Sequence, residues 1–166
     1  MGLLSFIKEA GEKLFGKGEA KAAQDAAAAA PTPENIAALS KSAGDAIASY
    51  IVAQNLKVDG LAVAFDAPSA TVTVSGTVAD QATREKVVLC CGNVDRVAAV
   101  NDQLTVSNPQ PESQWHTVVS GDNLSKIAKK FYGDANKYPV IFEANKPMLN
   151  HPDKIYPGQV LRIPPL

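Results

Sequence analysis

The stretch Ala70-Thr-Val-Thr-Val-Ser-Gly76, followed by Asp80-Gln-Ala-Thr-Arg-Glu-Lys-Val-Val-Leu-Cys-Cys-Gly92, sets the architecture of the chain. β-Branched residues dominate the first segment, which suits a strand ending at Gly76. Asp80 is placed to cap a helix over residues 81–91, with Gly92 just past its end. Before this pair, Leu61-Ala-Val-Ala-Phe65 alternates large and small side chains, so Leu61, Val63 and Phe65 share one strand face. The short Pro68-Ser69 turn makes the two strands a hairpin. Residues 97–106 carry a third strand. Upstream of Gly60, the positions Ile36, Leu39, Ala43, Ile47, Tyr50 and Ile51 keep a helical period. The order helix, strand, strand, helix, strand predicts an α+β domain over residues 34–107, with its helices on one sheet face.

Past this unit the chain changes character. Residues 108–114, Asn-Pro-Gln-Pro-Glu-Ser-Gln, form a polar, proline-bearing linker. Residues 115–166 then read β-α-α-β. Trp115-His-Thr-Val-Val119 is a strand, and Asp122 is placed to cap a helix whose stripe is Leu124, Ile127, Ala128 and Phe131. Gly133 ends that helix. Tyr138, Ile141 and Phe142 mark a second one, stopping near Asn145 because Pro147 disfavours helical geometry before it. Gln159-Val-Leu-Arg-Ile163 closes the unit as a strand.

In the other direction, residues 1–33 hold a helix and a linker. Leu3, Phe6, Ile7, Ala10 and Leu14 form one apolar stripe, so residues 3–15 are expected to be helical. Gly11 interrupts the stripe, and Gly16 and Gly18 end it. Eight of the eleven residues from Ala20 to Ala30 are alanine, a helix-favouring segment with almost nothing to bury, stopped by Pro31 and Pro33.

Charge excludes some functions. The 166 residues carry 16 Lys+Arg against 17 Asp+Glu, so neither nucleic acid nor an anionic membrane is favoured by the average field. The sum hides a split, with residues 34–107 at −3 and residues 115–166 at +3, and opposite signs favour docking of the two halves on each other. No run of 18 apolar residues exists, so no membrane span is expected. The amphipathic opening lacks a secretory pattern, and the expected location is the cytoplasm. Cys90 and Cys91 are adjacent, which suits buried small hydrophobes on a helix better than a disulfide or a zinc site.

Two families are suggested by spaced motifs. His116-Thr-Val-Val-Ser-Gly-Asp-Asn-Leu-Ser-Lys-Ile-Ala, Tyr132-Gly-Asp, Ile141-Phe-Glu-Ala-Asn145 and Ile155-Tyr-Pro-Gly-Gln-Val-Leu-Arg-Ile-Pro164 together resemble a LysM domain. Thr71-Val-Thr-Val-Ser-Gly76, Val97-Ala-Ala-Val-Asn101 and Leu104-Thr-Val106 resemble a BON domain. The whole arrangement, with its opening Met1-Gly-Leu-Leu-Ser-Phe-Ile-Lys-Glu-Ala, resembles the bacterial cytoplasmic potassium-binding proteins. That resemblance implies selective K+ binding coupled to a conformational change, in a monomer that senses the ion and performs no catalysis.

The residues add their own argument. His116 and His151 stand near no recognisable nucleophile arrangement, and neither a phosphate loop nor an Asp-rich calcium loop occurs. A large monovalent ion is held well by neutral backbone carbonyls that replace its hydration shell. Two places offer such carbonyls. If the first helix ends or frays at Gly11, the carbonyls of Ile7, Ala10 and Glu12 point outward; if it continues, all are used. In the loop Asn150-His-Pro-Asp-Lys-Ile-Tyr-Pro157, prolines withhold amide donors and His151 and Ile155 offer carbonyls, unless the loop is an ordinary turn. The alternative function is binding of peptidoglycan, an N-acetylglucosamine polymer. The LysM resemblance maps its groove to Gly121, Asp122, Asn123, Leu124, Asn145, Ile155 and Tyr156.

Overall fold

The computed structural model describes residues 3–5, 29–30, 32–94 and 97–166. Helix α1 (Pro33–Ala53) starts where the Thr32 side chain accepts the Asn35 amide at 3.2 Å, with Pro33 at a position that needs no amide partner. Its buried stripe is Ala43, Gly44, Ile47 and Ile51. A Cβ on Gly44 would stand 3.0 Å from the Val63 carbonyl oxygen, so the glycine lets the helix lie close on the strand beneath.

That strand, β2 (Asp59–Asp66), pairs antiparallel with β3 (Thr71–Asp80). Helix α2 (Gln81–Gly92) then crosses over to β4 (Ala99–Asn108), which lies parallel to β3. Asp80 caps α2 as its position predicts, accepting the Thr83 amide at 2.7 Å. Val72, Val74 and Val78 from β3, Val100 and Leu104 from β4, and Val87, Val88, Cys90 and Cys91 from α2 are all buried with the α1 stripe in one core. Both helices therefore cover the same sheet face. The α+β class holds.

Two expectations for the first sheet need correction. Strand β3 does not end at Gly76 but continues to Asp80. Gly76 takes φ +139 where β2 carries one extra residue between Asp59 and Ala62, a bulge that keeps the ladder going. The apolar period predicts a helix over residues 3–15, yet Leu3–Ser5 is a strand, β1, antiparallel to β4. The open edge of β4 supplies backbone partners to an extended segment, and that pairing outweighs the helical period of three residues. The sheet order is β1-β4-β3-β2. The rest of that expected helix, and residues 20–28 of the alanine-rich segment, lie outside the described residues.

Beyond the 109–113 connection, β5 (Gln114–Thr117) and β6 (Val160–Ile163) form a two-stranded antiparallel sheet. Between them come α3 (Leu124–Tyr132), a short 3-10 turn (Ala135–Lys137) and α4 (Tyr138–Ala144). Val118, Leu124, Ile127, Ala128, Ile141, Leu149, Leu161 and Ile163 make a second core. Val160 belongs instead to the first core.

Candidate functional site

The second unit is built around strand β6, which has two differently bonded edges. One edge pairs with β5, placing His116 opposite Leu161 and Gln114 opposite Ile163. The other edge is matched by two asparagine side chains. Asn93, the residue ending α2, accepts the Val160 amide at 2.9 Å and donates to the Val160 carbonyl at 2.8 Å. Asn145, at the end of α4, does the same for Arg162 at 2.9 and 3.0 Å, and donates also to the Ile141 carbonyl. Each side-chain amide thus stands in for a neighbouring strand and satisfies backbone groups that burial would otherwise leave costly.

Arg162 then reaches back toward the first unit. Its Nη2 donates to Glu85 Oε1 at 2.9 Å and to Ser113 Oγ at 3.1 Å, and Nη1 donates to the Ala144 carbonyl. Glu85 also accepts from the Ser113 amide and hydroxyl, each at 2.8 Å. All three side chains are buried, while Arg162 Nε is buried with no hydrogen-bond partner among the described residues. On α2, Lys86 is held below its usual range by burial first and by the nearby Arg162 charge second.

The loops that would carry a ligand lie before β6. Gly158 donates its amide to the Val118 carbonyl, and Val118 donates to the Gln159 carbonyl, so the closing loop is laced to the segment after β5. Within that loop the His151 carbonyl accepts the Lys154 amide at 3.1 Å, and the Tyr156 carbonyl accepts the Gln159 amide. His151 is exposed and its Nδ1 accepts the Asp153 amide, while Ile155 is half-buried against the second core. The loop is a tight turn at His151, and that carbonyl retains its second lone pair for a further partner. Ile7, Ala10 and Glu12 lie outside the described residues.

The residues of the alternative groove have mixed duties. Leu124 and Asn145 are each only 2 % exposed, the first in the core and the second engaged with backbone as above. Asp122 does not cap α3; Asn123 does, accepting the Lys126 amide at 2.8 Å. The Asp122 carboxylate instead accepts the Val119 amide at 3.0 Å and pairs with His116 Nε2 at 2.8 Å. The chain places it one residue too early for the cap, and the His116 ring offers a better partner. Gly121 is exposed and its carbonyl accepts the Lys126 ammonium at 3.0 Å. Tyr156 is half-buried, with its amide donated to Gln159 Oε1.

Sequence reasoning missed the Glu85–Ser113–Arg162 cluster and the Asn93 bridge. One signal is present: a charged side chain inside the apolar closing strand, since an arginine in Val160-Leu-Arg-Ile163 demands a buried partner. That partner, 77 positions away, has no sequence pattern of its own. Among the described residues, no three His, Cys, Asp or Glu side chains converge as a metal-binding group, and no helix is long and apolar enough to cross a membrane.

Comparison with known proteins agrees with both motif sets. The LysM domain family matches residues 116–164, and the BON domain family matches residues 44–108. The chain is 47% identical over 53 residues to an esterase, Rv1288, of Mycobacterium tuberculosis, but that covers 32% of this chain and 11% of the esterase. An uncharacterised protein of Deinococcus radiodurans is 51% identical over 49 residues, covering 30% of this chain and 19% of that protein. Far broader is the likeness to the potassium binding protein Kbp of Escherichia coli O6:H1, 42% identical over 164 residues and 99% of both chains. Identity at that level over both units and the segments around them shows that this chain belongs to the Kbp family of BON–LysM proteins.

Proposed function

We propose that this chain binds K+ in the cytoplasm as a monomer, and changes conformation on binding, so that it senses the ion. The observation that carries this reading is the end-to-end identity with a protein named for potassium binding. BON and LysM domains are binding modules and not enzyme families, which supports a role without catalysis. The ligands in this reading are backbone carbonyls of Ile7, Ala10, Glu12, His151 and Ile155, drawn from opposite ends of the chain. Binding would then draw the N-terminal segment and the 150–159 loop together and bias a closed arrangement.

Calorimetric titration of the full chain with KCl, RbCl, NaCl, MgCl2 and CaCl2 tests this. Carbonyl ligands predict heat with potassium and the similarly large rubidium, and little with sodium or magnesium. A response to sodium equal to that with potassium, or a stronger one to calcium, would overturn it. The LysM match gives the competing reading, glycan binding, a definite control: chito-oligosaccharide should produce no heat. Tight glycan binding without any ion response would reverse the two readings.

A further inference from the structure

We infer that the buried Glu85–Ser113–Arg162 cluster is a positioning device. It fixes the 150–159 loop against helix α2, so that ion affinity at the loop depends on residues that never touch the ion. The inference rests on the reading that this loop supplies ligands, but it has a readout of its own.

The loop runs directly into β6, whose second edge is held by Asn145 of the second unit and, from the first unit, by two further ties. Asn93, at the end of α2, holds Val160, the first residue after the loop. Arg162, two residues on, ties the same strand to Glu85 of α2, to Ser113 of the connecting segment and to the Ala144 carbonyl at the end of α4. Val160 itself is buried in the first core rather than the second. The exit of the loop is therefore held by both units: Val118 and Asn145 fix it within the second, and Asn93 and Glu85 fix it against the first.

The composition of the cluster argues for geometry over stability. A buried ion pair must overcome desolvation of both charges, and apolar residues of similar volume are often neutral or stabilising in its place. This pair in addition leaves Arg162 Nε buried without a partner among the described residues. Apolar contacts between α2 and β6 would tolerate sliding. A guanidinium shared between one carboxylate, one hydroxyl and one carbonyl admits a single register. A carbonyl site for a large cation needs several oxygens held at fixed positions, so a loop that shifts by about 1 Å loses much of the advantage of preorganisation.

The test uses the full chain carrying Glu85→Met and Arg162→Met together, with Glu85→Gln as a second variant. Thermal unfolding, amide hydrogen exchange of residues 150–159 and K+ titration are measured on each. The double variant leaves the buried Ser113 amide and hydroxyl without their acceptor, so it should unfold at a lower temperature yet remain folded at the titration temperature. It should also exchange faster in the loop and bind K+ at least fivefold more weakly. A merely structural pair would lower the unfolding temperature while leaving loop exchange and K+ affinity of the folded protein unchanged. Wild-type affinity, or wild-type exchange in the loop, in the folded double variant would overturn the inference. Should the double variant not fold, Glu85→Gln decides by the same two readouts. If the wild-type chain does not respond to K+ at all, the ion reading fails by itself. Loop exchange alone then judges the positioning claim, which faster exchange upholds and unchanged exchange overturns.

Discussion

The Asp122 carboxylate ties together the start of the second unit, accepting the Val119 amide and pairing with His116, whose ring stands edge-on to Phe131 at 5.6 Å. These contacts favour the ionised form, so its carboxyl lies below the ordinary value of 3.8, the Val119 amide being the larger cause and His116 the next. A lowered folded pKa means that the stabilisation is complete above 3.8 and is lost as pH falls through the folded value. Asp80 at the α2 cap behaves alike through Thr83. Asp122→Asn should therefore flatten the acid side of the stability–pH curve, measured by urea unfolding from near-neutral pH down into the carboxylate range; an unchanged slope would count against the assignment. One position along, Asn123→Ala removes the α3 cap and should cost about 1 kcal/mol in the same assay. The cysteines make a third case among single residues. Burial pushes the Cys90 thiol up to about 12 and holds Cys91 well above its usual range. Neither should react with a thiol reagent at mildly alkaline pH until the chain unfolds, and rapid labelling of the native protein would contradict their burial.

Among the elements, the bulge between β2 and β3 carries the sharpest expectation. A Cβ at Gly76 would stand 2.5 Å from Val58 Cγ1 and 3.0 Å from the Asp59 carbonyl oxygen, at a φ that side chains rarely adopt. Gly76→Ala should destabilise the chain by about 2 kcal/mol, seen as a lower midpoint in chemical unfolding. A midpoint unchanged from wild type would mean the bulge is not rigid. Most elements are legible from local signals: Asp80 before α2, Gly133 after α3, and the β-branched run of β3 each carry their own physical cause. What stays illegible depends on distant partners. Leu3–Ser5 is extended because β4 offers it an edge, and no local pattern in those residues announces that. Gly76 reads as a strand end unless the extra residue in β2 is known. For the site, His151 and Ile155 stand out as part of a proline-framed loop, whereas Asn93 and Asn145 give no hint that their amides complete the edge of β6.

Across the whole molecule, two small units share their boundary through β6, whose Val160 packs in one core while Leu161 and Ile163 pack in the other. A unit of about 50 residues is near the lower limit for independent stability, so such sharing supports the second unit directly. It also joins a loop of the second unit to helix α2 of the first, through Asn93 and Val160. The charge split in the sequence points toward contact between the halves, but the specific pair, Glu85 with Arg162, emerges only in three dimensions. If K+ draws the N-terminal segment onto the 150–159 loop, the molecule must become more compact when the ion binds. Small-angle X-ray scattering of the full chain at constant ionic strength, with KCl exchanged for NaCl, reads that change. The radius of gyration should be smaller in KCl, with the difference lost when residues 1–14 are removed. Identical scattering curves in the two salts, under conditions where calorimetry registers bound K+, would contradict closure on the ion.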